Sequence, residues 1–308
     1  YIRKNILNLS WPVIAELFLL SAFSIINLAR VGHLGSYAIS AVAVTNQPIL
    51  MSIAVFQAFN VGATALAARF IGAGEYENAR KVAVQNLIIS AMLGILVSMV
   101  GFFFAEQIVT AIGAKEDSVE AATAYLKILC TGLTFQVVTV GVTSILRGAG
   151  ETRIPMRYNI VANSINVILG FLFIYGLPGI KGMGVTGAAV STALAWFASC
   201  CMALYSIFNN DKLKIRLSTA DRFAIEPQLV KRIMNIGYAS AGEQFAIRMG
   251  MIVFIKMVAE LGTQSLAVHS IVTNVAGMSF NFGQAFSIAA TTFLGRNLGA
   301  GKPDLAEK

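Results

Sequence analysis

The chain has 308 residues, of which 56% are hydrophobic and only 12% charged, with a formal net charge of +8. Soluble domains carry about a quarter charged residues, so the polar side chains here are too few to cover a water-soluble globule, and the bilayer is the expected solvent. A basic protein of this kind would bind nucleic acid only if its charges gathered on a solvated face, and their spacing along the chain excludes that.

Eight apolar segments, 6–31, 38–70, 82–105, 121–146, 156–176, 183–208, 233–259 and 266–294, are each long enough to cross a hydrocarbon core that takes about 20 helical residues. The charge-free runs 82–105, 128–146 and 158–180 are longer than any soluble amphipathic helix would show. If the segments alternate in direction, one side collects Arg3, Lys4, the bases at 69, 80 and 81, those at 147, 153 and 157, the six between 212 and 232, and Arg296, Lys302 and Lys308. That is 17 of the 23 basic residues, so this side is predicted to be cytoplasmic, with both ends of the chain on it.

Residues 57–81 recur at 284–308. At a constant offset of 227, 11 of 25 positions are identical, including Gln57/Gln284, Arg69/Arg296 and Gly72-Ala73-Gly74/Gly299-Ala300-Gly301. Unrelated segments would share roughly one or two. The same offset pairs Glu16 with Glu243 and Leu34-Gly35 with Leu261-Gly262. Six spans, an even number, precede the second copy, so both copies enter the membrane from the same face as parallel repeats.

The expected fold class is therefore an all-α polytopic membrane protein, a parallel repeat of six-helix bundles whose second repeat is incomplete, with 8 of 12 helices present. Residues 1–208 form the first six-helix lobe, 209–228 a cytoplasmic linker, and 229–308 the first two helices of the second lobe. Because the chain begins at Tyr1 and the second copy stops early, both ends read as truncations. No removable signal peptide is evident. Gly72-Ala73-Gly74 and its copy read as helix stops, and Gly184, Gly187 and Ala188 as a small-residue face for close helix packing.

Ionisable groups inside a bilayer cost several kcal/mol and are functional candidates by default. Glu16 and Glu243, at equivalent positions in the two halves, are the candidates for binding a coupling proton or cation. For each, the plainer alternative is a carboxyl that pairs within its lobe and fixes packing. Arg248, five residues beyond Glu243, reads as an interhelical lock or cavity residue, and Lys256 with Glu260 as an interfacial pair. Asn27, Asn163, Asn166, Thr192, Gln57 and Gln284 are candidates for a polar cavity lining, with Phe59, Phe282, Phe286, Met51 and Met278 as its apolar wall. His33 and His269 lack a second histidine at ligand spacing, and Cys130, Cys200 and Cys201 lie in apolar runs, so neither a metal site nor a disulfide is expected.

The stretch Leu146-Arg147-Gly148-Ala149-Gly150-Glu151-Thr152-Arg153-Ile154-Pro155-Met156 closely resembles the loop between the fourth and fifth helices of the multidrug and toxic compound extrusion (MATE) family. Val31-Gly32-His33-Leu34-Gly35, the run 184–189, and Ala289-Ala290-Thr291-Thr292 with Leu298-Gly299-Ala300-Gly301 are also similar to that family. The resemblance covers the whole chain. It implies 12 helices in two pseudo-symmetric lobes and a monomeric antiporter in a prokaryotic inner membrane, driven by inward H⁺ or Na⁺. Such a protein exports amphipathic organic cations, drugs and metabolites by alternating exposure of a central cavity, and it is not an enzyme and uses no cofactor beyond the transported ion. Well-known branches carry an Asp on the first helix where Asn27 stands, and some carry one on the fifth helix where Gly170 stands, so the resemblance leaves the choice between H⁺ and Na⁺ open. A flippase of lipid-linked oligosaccharides or lipids shares the superfamily architecture, but it calls for a strongly basic central cavity. A membrane-embedded transferase calls for clustered acids, and Glu116-Asp117 is a poor match.

Overall fold

The computed structural model describes residues 2–34, 36–112, 116–177, 180–210, 213, 215–217, 224–260 and 263–304. Within them the helices are α1 Ile2–Gly32, α2 Ser36–Gly72, α3 Tyr76–Phe103, α4 Ala105–Ile112, α5 Glu116–Gly148, α6 Arg153–Tyr175, α7 Gly184–Asn209, α8 Pro227–Glu260 and α9 Thr263–Gly299. Five of the eight expected spans fall wholly inside one long helix, 156–176 and 183–208 overrun α6 and α7 by one residue each, and 82–105 runs past the end of α3. A spanning segment has no water for its amides and carbonyls, and an α-helix satisfies them within the segment. Six of the helices, α1, α2, α3, α5, α6 and α7, are long and apolar enough over their described residues to cross a membrane. Hydroxyls within the spans follow the same logic, since Ser10, Ser52, Thr139 and Thr143 each donate to the carbonyl four residues earlier at 2.7–2.8 Å.

Two elements were not anticipated. The apolar run 82–105 breaks after α3, and the chain turns into the short helix α4, which buries Ala105 and Val109 and leaves Glu106 and Gln107 exposed. After α6 comes a two-stranded antiparallel hairpin, β1 Gly176–Leu177 and β2 Ile180–Lys181. Gly176 caps α6 with φ of 82°, a conformation that L side chains rarely adopt.

The first lobe packs α5 at its centre, against α2, α3 and α7, with α6 between α7 and α1. Small residues let these backbones meet. A Cβ at Gly187 would collide with the carbonyl of Phe173, and one at Gly148 would come within 2.7 Å of the carbonyl of Thr64. A buried polar knot ties three helices together: Asn86 Nδ2 on α3 donates to Asn60 Oδ1 on α2 at 2.8 Å and to the carbonyl of Gly141 on α5 at 3.0 Å, and Ser144 Oγ donates to Asn60 Oδ1 at 3.0 Å. The linker is not simply a polar strand in solvent. Leu213, Ile215 and Leu217 are buried against Val82, Ile207 and Ile233, and Gln85 holds its far end by bonding the carbonyl of Ala224 and the amide of Glu226.

The second copy reproduces the first. Helix α9 occupies the residue numbers of α2 plus 227, and both end in the same turn. The amide of Ala73 bonds the carbonyl of Arg69, and that of Ala300 bonds the carbonyl of Arg296, each at 3.0 Å, while Gly74 and Gly301 have φ of 78° and 69°.

Candidate functional site

The two copies meet along α2, α8 and α9, with α1 also against α9. Helices α2 and α9 cross near the same end of each: a Cβ on Gly72 would overlap the carbonyl of Arg296, and one on Gly299 would overlap the carbonyl of Arg69. A contact that maps onto itself when the copies are exchanged requires a two-fold relation between them. Because both helices contribute their C-terminal ends, the axis runs along the helices and so along the bilayer normal. The interface continues at Gly62 against Ile233 and Ile236, at Gly237 against Phe59, and at Phe59 against Tyr238, whose rings meet edge to face at 5.5 Å. These close contacts run from the end where basic residues collect well into the helices. Met51 on α2, Glu243 on α8, and Phe282, Gln284 and Phe286 on α9 are exposed.

Glu16 and Glu243 share a register position, but Glu16 takes its partners from α5 and α6, while the second copy in this chain comprises only α8 and α9 among the described residues. Glu16 is 3% exposed. Its Oε2 pairs with Arg147 Nη2 at 2.9 Å, and its Oε1 accepts from Asn159 Nδ2 at 2.7 Å. Asn159 Oδ1 accepts in turn from Ser199 Oγ at 3.3 Å. The carbonyl of Arg147 accepts from Thr292 Oγ1 on α9 at 3.0 Å. Glu16 thus sits in a network that joins α1, α5, α6 and α7 and reaches the second lobe through the main chain of Arg147. The sequence reading treated Arg147 as a topological charge and did not foresee it as the partner of Glu16. Glu243 is exposed, and among the described residues no base pairs with it.

The other polar candidates fall into two groups. Asn166 is buried, and its Nδ2 donates to Thr192 Oγ1 at 3.0 Å. Asn163 Nδ2 donates to the carbonyl of Asn159 at 2.8 Å, and Asn27 Oδ1 is buried without a partner. Gln57 and Gln284, at matched positions of α2 and α9, are both exposed. The side chains of Arg248, Lys256, Glu260, His269 and Met278 lie outside the described residues.

One residue was missed altogether. Arg30, near the end of α1, is 4% exposed. Its Nη1 donates to the carbonyls of Asn166 and Val167 at 3.2 and 2.8 Å, and its Nη2 donates to Asn166 Oδ1 at 3.2 Å. The guanidinium stands 5.4 Å from the centre of the Phe171 ring, in space that Gly170 leaves free. The available signal was a base at the end of the first span opposite to the one that collects positive charge, together with a glycine in the fifth span.

Long apolar helices in duplicate, related by an axis along the membrane normal, define a polytopic integral membrane protein. The MatE family profile matches residues 12–172 and 239–308, and the chain belongs to that family. It is 30% identical over 307 residues to a Thermotoga maritima protein named "probable multidrug resistance protein NorM", which covers 98% of this chain and 65% of that protein. The chain thus spans about two thirds of the length of that curated relative. Among solved structures, a MOP superfamily transporter from Pyrococcus furiosus superposes with a TM-score of 0.91 at 26% identity, over 99% of this chain and 67% of that one. An outward-facing multidrug resistance transporter of the MATE family superposes at 0.90, also with 26% identity.

Proposed function

We propose that the protein to which this chain belongs is an antiporter, driven by H⁺ or Na⁺, that exports amphipathic organic cations, drugs and metabolites by alternating access between two lobes. The observation that carries this reading is the interface itself. It is closed at the basic end by the reciprocal backbone contacts of Gly72 and Gly299, and the helices that form it carry the exposed Glu243, Gln57, Gln284 and Phe286. With the basic end in the cytoplasm of a prokaryotic cell, both ends of the chain are cytoplasmic and the exposed faces open outward. Glu243 is then the carboxylate free to meet a cationic ligand or the coupling ion, whereas Glu16 acts through the Arg147 network on how the lobes dock.

Efflux of ethidium from cells expressing the intact gene tests the reading, with Glu243→Gln and Glu16→Gln compared with wild type. The reading expects dye extrusion by wild type and its loss in Glu243→Gln. No extrusion by wild type contradicts the antiporter, and full extrusion by Glu243→Gln removes that carboxylate from the mechanism.

A further inference from the structure

Arg30 is a buried cation with no anionic partner among the described residues. A guanidinium stays charged inside proteins, and burying a charge without a counter-charge is expensive, so the charge must be balanced by dipoles or by a ligand. Here the dipoles are those of Asn166 and Val167, which engage Nη1 and Nη2 but leave Nε buried and without a hydrogen-bond partner. Its ionisable neighbours are the phenols of Tyr175 and Tyr125, and neither is a carboxylate. Asn27 Oδ1, one helical turn before Arg30, is likewise buried and unpartnered.

The surroundings suit a group that comes and goes. Phe171 and Tyr175 are stacked at 6.0 Å between ring centres and are about half exposed, and the guanidinium lies against the Phe171 ring. The Tyr175 hydroxyl donates to the carbonyl of Arg30 at 3.1 Å and so fixes the backbone from which the guanidinium projects. A planar guanidinium offers paired donors to a carboxylate or phosphate, and a neighbouring ring surface suits an aromatic body attached to that acid. A permanent positive charge at this position also opposes an inorganic cation or a proton there, so this part of the first lobe is poorly suited to hold the coupling ion.

We propose that Arg30, backed by Asn166 and flanked by Phe171 and Tyr175, is a subsite for the carboxylate or phosphate of an amphipathic, acid-bearing substrate. The proposal rests on the antiporter reading and extends its substrate class from organic cations to acid-bearing zwitterions and organic anions.

The test uses full-length protein in proteoliposomes with three fluorescent probes, ethidium, carboxyfluorescein and methylumbelliferyl phosphate, and in parallel measures quenching of tryptophan emission by each probe on the detergent-solubilised protein. The expected result is transport or quenching by an acidic probe, with the acid-to-ethidium ratio falling about tenfold or more in Arg30→Gln, since a charge-assisted hydrogen bond is lost. Arg30→Lys restores part of the ratio, and Asn166→Asp, which supplies a fixed counter-charge, lowers it as Arg30→Gln does. A preference for carboxyfluorescein over the phosphate, or the reverse, identifies which acid fits. Ethidium transport with neither transport of nor quenching by an acidic probe overturns the subsite while leaving the antiporter standing. Equal loss of all probes in Arg30→Gln, with Arg30→Lys no better, reduces Arg30 to a lock between α1 and α6. Failure of wild type with every probe, in both transport and binding, removes the antiporter reading and the subsite with it.

Discussion

Gly72 and Gly299, 227 residues apart, occupy reciprocal places in one helix crossing: each lies with its Cα against the carbonyl of the arginine that precedes the other by three residues. Neither position tolerates a Cβ without moving the other lobe. The duplicated Gly-Ala-Gly therefore serves both as a helix stop, through the positive φ of Gly74 and Gly301, and as the contact on which the lobes close.

Gly299→Val should hold the lobes apart at the basic end. Ala68, fully buried where Gly295 packs on it, provides the reporter. A cysteine placed there should resist a membrane-impermeant maleimide on the cytoplasmic side in the parent protein and react in Gly299→Val. Continued protection would mean that the crossing has room for a side chain.

Removing one member of the Glu16–Arg147 pair leaves the other charge without its partner. Because Glu16 is 3% exposed and Arg147 17%, Glu16→Gln is expected to cost on the order of 3 kcal/mol, at the low end for breaking a buried pair. Arg147→Met combined with Glu16→Gln should recover part of that loss, and Arg147→Met alone completes the set of four. Thermal unfolding of the four proteins forms a double-mutant cycle, and additive losses would show that the two side chains are not coupled.

The linker should be a folded part of the first lobe. Ile215 is fully buried, and Ile215→Ala is expected to loosen the segment by about 2 to 4 kcal/mol, so that trypsin cleaves beside it faster. Ile225→Ala, at a site 56% exposed, should change cleavage little, within about 0.5 kcal/mol. Similar cleavage of both variants would return the linker to the status of a solvated tether.

Much of the architecture was legible because the bilayer restricts it. Long apolar runs have few alternatives to helices, and a repeat of constant offset places α8 and α9 by reference to α1 and α2. The inward side chains of the linker were visible as an alternation of Leu213, Ile215 and Leu217 with polar residues, a strand-like period that its net polarity obscured. Pairings across helices were not legible. Glu16 lies 131 residues from Arg147, and Arg30 lies 136 from Asn166, so only three-dimensional packing reveals that one buried charge has a partner and the other does not.

The most direct test of alternating access joins Phe59→Cys on α2 to Tyr238→Cys on α8 with a short reducible crosslinker, in full-length protein lacking Cys130, Cys200 and Cys201. The two parent rings meet at 5.5 Å, so the bridge fixes the closed end of the interface. If the lobes must separate there in each cycle, the crosslinked protein takes up no ethidium in inverted membrane vesicles, and reduction restores uptake. Undiminished uptake by the fully crosslinked protein would contradict movement of one lobe against the other.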